Sequence, residues 1–120
     1  MITDRYFKVP NEFLDDLQHL SGTAVKIYML FRSMVREEFG DGDFSWIFCS
    51  YDHIMEKTEI GSKTSIRKGI LELVATGWIK DFHRGYFDRK EGVKKTNKYC
   101  ISHRRIASPD KELYARIAKS

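Results

Sequence analysis

Cysteine is scarce in this 120-residue chain, and long apolar runs are absent. The two cysteines, Cys49 and Cys100, form no CxxC pair, so we interpret both as reduced, buried small side chains. A disulfide between them is the alternative, because their two strand-like segments could be neighbours. No apolar stretch approaches the roughly 20 residues of a membrane helix. The first ten residues, MITDRYFKVP, carry no apolar signal core. The sequence therefore predicts a cytoplasmic protein without a membrane segment or an export signal.

Motifs of catalysis and of metal binding are also missing. The four histidines have no metal-ligand spacing and no cysteine cluster beside them. No phosphate-binding loop of the GxxxxGK type is present. Ser50 with His53 and Cys100 with His103 are close in sequence, but a nucleophile and its base must meet in space with an orienting third group. Both pairs lie at the ends of predicted elements, where they have simpler roles. We therefore expect no enzymatic activity, no metal, no cofactor and no small-molecule substrate.

Charge is plentiful and unevenly distributed. Residues 1–61 hold 6 Lys and Arg against 11 Asp and Glu, whereas residues 62–105 hold 12 against 4. Such a concentration of cations is the expected footprint of nucleic-acid contact, and lysines kept for solubility are the alternative. With 42% hydrophobic and 13% aromatic residues, we expect one domain over 1–120, with its core at about 20–102 and a basic segment with a short helix at 103–120.

Residues 50–79 predict two helices joined by a tight turn. Ser50 and Ser62 each precede a helical apolar pattern, as N-cap residues do. Gly61 is expected to take the strained conformation of the turn, and Gly77 to end the second helix. The apolar positions of the second helix are Ile66, Ile70, Leu73 and Val74. Its polar positions are Lys63, Thr64, Ser65, Arg67 and Lys68. This is the layout of a helix-turn-helix whose second helix enters the DNA major groove.

The flanking segments predict an α+β fold around these helices. A long helix from Ser21 to about Phe39, with a wide apolar stripe, should form the centre of the core, and a turn is expected at 39–43. Near the N-terminus we expect an edge strand at 6–10 and a helical turn or two at 11–17 with Phe13, Leu14 and Leu17 on the inner face. A last helix at 111–119 has two alternatives, which are packing on the core and pairing with another subunit. A short strand at 44–49 and a hairpin of 78–84 with 97–102 should make a three-stranded antiparallel sheet. This order is the winged-helix arrangement, with residues 85–96 as the basic wing. The cations expected to contact DNA from the hairpin are Arg84, Arg89, Lys90, Lys94, Lys95 and Lys98.

Several local phrases resemble the N-terminal winged-helix domain of plasmid replication initiators of the RepA type and of related phage replication proteins. The resemblance spans about residues 5–102 and is carried by Tyr6-Phe7-Lys8-Val9-Pro10, Leu20-Ser21, Ala24, Lys26, Tyr28, Leu30, Ser50, Ile54-Met55, Ser62-Lys63-Thr64, Leu73, Gly77-Trp78-Ile79 and Thr96-Asn97-Lys98-Tyr99. It implies binding to repeated origin DNA, often as a dimer, and a separate C-terminal domain that recruits host proteins. Residues 1–120 are expected to lack that domain, which leaves an initiator fragment and a stand-alone DNA-binding protein as alternatives.

The function predicted from the sequence is specific binding to double-stranded DNA, in replication initiation or in transcription regulation. Arg67 is the expected base contact because a guanidinium bonds guanine O6 and N7 together. The wing lysines are expected on backbone phosphates, while Ser62 and Ser65 suit capping or phosphate contact. A protein-interaction module is the competing hypothesis, since Leu71 falls beside the polar face of the second helix. A homodimer on repeated half-sites would suit the layout, although the sequence fixes no spacing.

Overall fold

The structure is a computed structural model that describes residues 9–35, 44–85, 90, 92 and 96–119, together with the backbone of residues 87–88 and 93–94. The helices in this part of the chain are α1 (Asn11–Asp15), α2 (Gly22–Met34), α3 (Tyr51–Thr58), α4 (Lys63–Ala75) and α5 (Lys111–Lys119), with a 3-10 turn at Leu17–His19. The strands are β1 (Phe44–Phe48), β2 (Ile79–His83), β3 (Phe87–Asp88), β4 (Val93–Lys94) and β5 (Lys98–Ser102). The predicted α+β class with a small antiparallel sheet is confirmed.

Three strands form the antiparallel sheet that the sequence pattern predicted, and their order is β1-β5-β2. Trp46 lies opposite Cys100 in one ladder, and Phe82 lies opposite Tyr99 in the other. A register shift at Lys80 interrupts the second ladder. The segment between β2 and β5, which was expected to be a loop, contains the two-residue ladder of β3 with β4. Helix α2 ends at Met34 and Val35 is extended, so the predicted continuation of this helix through Val35 is wrong. Residues 6–8 of the predicted edge strand at 6–10, residues 36–39 of the predicted helix and the predicted turn at 39–43 lie outside the described residues.

Helix α2 occupies the centre of the core, where it packs against α3 and α4. Ser21 caps it by accepting the amide of Ala24 at 3.2 Å. The helix buries the side chains Ala24, Ile27, Tyr28 and Phe31, which belong to the predicted apolar stripe. Helix α4 approaches α2 at Gly69, where an added Cβ would lie 2.8 Å from Cδ1 of Ile27. The close approach of these two helices therefore depends on a glycine.

A residue with left-handed backbone follows the end of α3, and another follows the end of α4. Gly77, at φ +90°, ends α4 as predicted, with its amide donating to Val74 and that of Trp78 donating to Leu73. The turn between α3 and α4 differs from the prediction, because Glu59 and not Gly61 has positive φ, at +59°. Helix α3 ends at Thr58, so the reversal falls on the residue that follows the helix directly.

Helices α1 and α5 each bury apolar side chains in the core. Phe13 of α1 is fully buried and stacks on Tyr28, whereas Leu14 and Leu17, which were expected on the same inner face, are exposed. Helix α5 buries Leu113 and Ile117 and packs against α4. Of the two alternatives for this C-terminal segment, the structure adopts packing on its own core.

Cys49 and Cys100 are buried and free, as expected for small core side chains. Within the described ranges, no helix has the length and apolar character needed to cross a membrane. The same ranges contain no group of three His, Cys, Asp or Glu side chains placed to hold a metal ion.

Candidate nucleic-acid interface

Serine caps set the entry of both helices in the α3–α4 pair. Ser50 accepts the amide of His53 at 3.1 Å, and Ser62 accepts the amide of Ser65 at 3.1 Å. The Ser62 hydroxyl also donates to Oγ of Ser65 at 2.9 Å. Both predicted caps are confirmed. The hydroxyls of Ser62 and Ser65 therefore define where α4 begins, directly before its first cation, Lys63.

The open side of this helix pair is a cleft of about 430 Å³ between α3, α4 and the base of the hairpin. Its lining residues are Ser50, Tyr51, Asp52, Lys63, Thr64, Arg67, Arg84, Gly85, Thr96 and Asn97. We call this the α3–α4 cleft. It brings together four residues that the sequence predicted for DNA contact, of which Lys63, Thr64 and Arg67 come from α4 and Arg84 follows β2. Residues far apart in the chain thus form one surface.

Tyr51 of α3 lines the cleft together with Arg67 and Arg84. Burial raises the pKa of its hydroxyl, while the positive charges of Arg84 and Arg67 act in the opposite direction. Sequence reasoning assigned Tyr51 only to the apolar side of α3, since one tyrosine in a helical pattern carries no signal of such neighbours.

Two polar contacts fix the rim of the cleft. Asn97 accepts the backbone amide of Gly85 through Oδ1, which ties together the two ends of the hairpin segment. Lys63 Nζ lies 3.8 Å from Asp52 Oδ1, and both side chains are well exposed. An exposed ion pair at this distance contributes little to stability, so Lys63 can leave Asp52 for another anion at little cost.

The remaining predicted residues lie at several positions around the cleft. Lys68 is exposed on α4, and Lys90 is exposed in the segment between β3 and β4. Lys94 is in β4, while Arg89 and Lys95 lie outside the described residues. Lys98 is not brought into the cleft.

Lys98 extends over a different surface, because its Nζ lies 4.8 Å from the ring centroid of Trp46 in β1. The environment of Leu71 also differs from the prediction. Leu71 is half-buried and packs against the core cluster, so it is not the exposed leucine on which the protein-interaction hypothesis depended.

No protein-family model, curated protein or solved structure matches this chain.

Proposed function

We infer that the chain is a winged-helix protein that binds double-stranded DNA, with α4 in the major groove and the hairpin on the backbone. The observation that supports this most directly is the α3–α4 cleft, in which Lys63, Thr64 and Arg67 of α4 meet Arg84 of the hairpin. The two parts that a winged helix uses to contact DNA therefore border one surface. The packing of α2, α3 and α4 with a three-stranded sheet is compatible with this fold.

Each cation of α4 has a proposed role that follows from its exposure. Lys63 and Lys68 are exposed and suit phosphates on either side of the groove. Arg67 is half-buried and lies within the cleft, which limits the directions its guanidinium can take and suits a base contact. Lys63 would exchange its weak pairing with Asp52 for a phosphate on binding.

The hairpin segment would contact the backbone as the wing. Arg84 stands at its base in the cleft, and Lys90 is exposed farther along. Lys94, together with Arg89 and Lys95, would add phosphate contacts that carry no sequence information. The resemblance to RepA-type initiators supports a role in replication initiation of a plasmid or phage, with binding as a homodimer.

Fluorescence anisotropy on random-sequence duplex DNA at several salt concentrations tests this proposal. Binding at low salt should weaken steeply as salt rises, since each neutralised phosphate contributes about 0.9 to the slope of log K against log salt. The double variant Lys63→Ala/Lys68→Ala should lose about two units of that slope.

The matched control is Lys111→Ala/Lys119→Ala, which removes the same charge from exposed positions of α5. It should leave the slope unchanged. An equal loss of slope in both double variants, or no binding to random duplex even at low salt, would contradict the proposal.

A further inference from the structure

The face of the sheet directed away from the helical core carries aromatic side chains that the proposed duplex contact does not use. Trp46 and Phe48 point outward from β1 and are 48% and 61% exposed, while Ser45 and Ile47, which alternate with them, are buried. Phe44 is half-buried on the same side. Two neighbouring exposed aromatic rings on one strand are unusual here, since most of the other aromatic side chains among the described residues are in the core.

Cations are interleaved with these rings. Lys80 Nζ lies 3.9 Å from the ring centroid of Phe44, and Lys98 Nζ lies 4.8 Å from that of Trp46. The imidazole of His83 lies 5.6 Å from the indole of Trp46, centroid to centroid. We call the surface formed by Phe44, Trp46, Phe48, Lys80, His83 and Lys98 the outer sheet face.

Three acids, Asp81, Asp110 and Glu112, share a cleft with Lys80 at one edge of this surface. Asp81 of β2 is paired with Arg116 of α5 at 3.2 Å and with His83 at 3.1 Å. Its charge is therefore offset by partners on its own side of the sheet. The lysines at positions 80 and 98 leave the outer sheet face with positive charge beside flat apolar rings.

We propose that the outer sheet face binds single-stranded DNA, with unpaired bases stacked on Trp46 and Phe48 and phosphates held by Lys98 and Lys80. Sequence-tolerant binding of single strands combines these two features, since every base has a π-face and every linkage has a charge. A duplex offers no unstacked base to these rings. Trp46 and Phe48 are two residues apart on one strand, about 7 Å along it, which is close to the spacing of successive unstacked bases.

This surface is distinct from the α3–α4 cleft, which Trp46, Phe48 and Lys98 do not line. A chain with both surfaces could hold a duplex on α4 and an adjacent opened strand on the sheet. The proposal requires only that single strands bind, and it stands or falls independently of the duplex contact.

Tryptophan fluorescence gives a direct test, because Trp46 is half exposed whereas the second tryptophan, Trp78, is fully buried. Titration with oligothymidylate of about 12 nucleotides should quench the emission and shift it, since a base stacked on Trp46 replaces water. The variant Phe48→Ala should weaken binding of the labelled oligonucleotide by about 5- to 100-fold. Phe48 is mostly exposed, so its removal should leave the fold intact.

Two control variants distinguish the outer sheet face from nonspecific apolar contact and from the α3–α4 cleft. Leu14→Ala removes another large exposed side chain, from α1, and should not change oligothymidylate binding. Arg67→Ala should weaken duplex binding while oligothymidylate binding is retained.

Three results would overturn the proposal. The first is that oligothymidylate causes no quenching even at low salt. The second is that Arg67→Ala loses the binding of single strands together with the binding of duplex. The third is a Trp46 emission that depends on protein concentration and not on the oligonucleotide, which would assign the outer sheet face to contact between two copies of the chain.

Discussion

Single residues in this protein take roles that their type alone does not predict, and Glu59 is the clearest case. It follows α3 with φ +59°, where a side chain other than glycine costs about 1 kcal/mol. Glu59→Gly should therefore raise the free energy of unfolding by up to about 1 kcal/mol. Urea denaturation measures the change.

Gly61 provides the matched control for Glu59. It lies two residues farther along the same turn, lacks positive φ, and an added Cβ would meet nothing within 4 Å. Gly61→Ala should be neutral or slightly stabilising. A loss of stability in Glu59→Gly, or a large loss in Gly61→Ala, would contradict the description of this turn.

Arg67 is the residue on which sequence specificity should depend. Arg67→Ala should cost about 1–3 kcal/mol in binding to a selected site and should relax the preference at one base pair. Arg67→Lys keeps the charge but cannot bond O6 and N7 of guanine in the same forked geometry, so it should restore affinity for random duplex but not the preference. If both variants weaken random and selected duplexes equally, Arg67 is a phosphate contact.

At the scale of elements, the hairpin is tied at its base by Asn97, whose Oδ1 accepts the amide of Gly85. Asn97→Ala leaves this half-buried donor without its acceptor, which should cost about 1 kcal/mol of stability. The Gly85 amide should also exchange with solvent faster. Thr96→Ala, which alters an exposed neighbour in the same cleft, is the control and should change neither quantity. Unchanged exchange at Gly85 in Asn97→Ala would show that the hairpin is held by other contacts.

The elements differ in how far their sequences determine them. Ser50, Ser62 and Gly77 were identifiable because caps and glycine stops act within one helical turn. Which face of β1 is buried was not identifiable, because both of its alternating sets of residues contain apolar side chains. It becomes clear only in the folded sheet, where β1 pairs with β5, Ile47 is inside and Trp46 is outside. That Tyr51, Arg67 and Arg84 line one cleft likewise depends on where the hairpin packs, which no local pattern specifies.

The whole molecule should lose stability at alkaline pH, because it buries groups that ionise there. Burial raises the pKa of Cys49 to about 11 and also raises the pKa of Tyr28. An unfolded thiol loses its proton near pH ~8.5. Between about pH 8.5 and 11 the folded state therefore holds a proton that the unfolded state has lost, and stability falls as pH rises, by up to about 1.4 kcal/mol per pH unit for this group.

Urea denaturation at a series of pH values from about 8 to 10 measures this decline. Cys49→Ala removes the thiol and should make the curve flatter over the same range. A decline of the same steepness in Cys49→Ala would assign the effect to Cys100, the other buried thiol whose pKa is raised by burial.

Two-dimensional ¹H–¹⁵N NMR tests the proposed duplex contact most directly, because it maps that contact on the folded chain. Titration with a short duplex should shift the amide signals of α4 residues Lys63, Thr64 and Arg67 together with those of Arg84 and Gly85, since these border one cleft. The signals of α5 should stay in place. Shifts concentrated on α5 or on the outer sheet face, with α4 unaffected, would contradict the central claim that α4 and the hairpin base together form the duplex-binding surface.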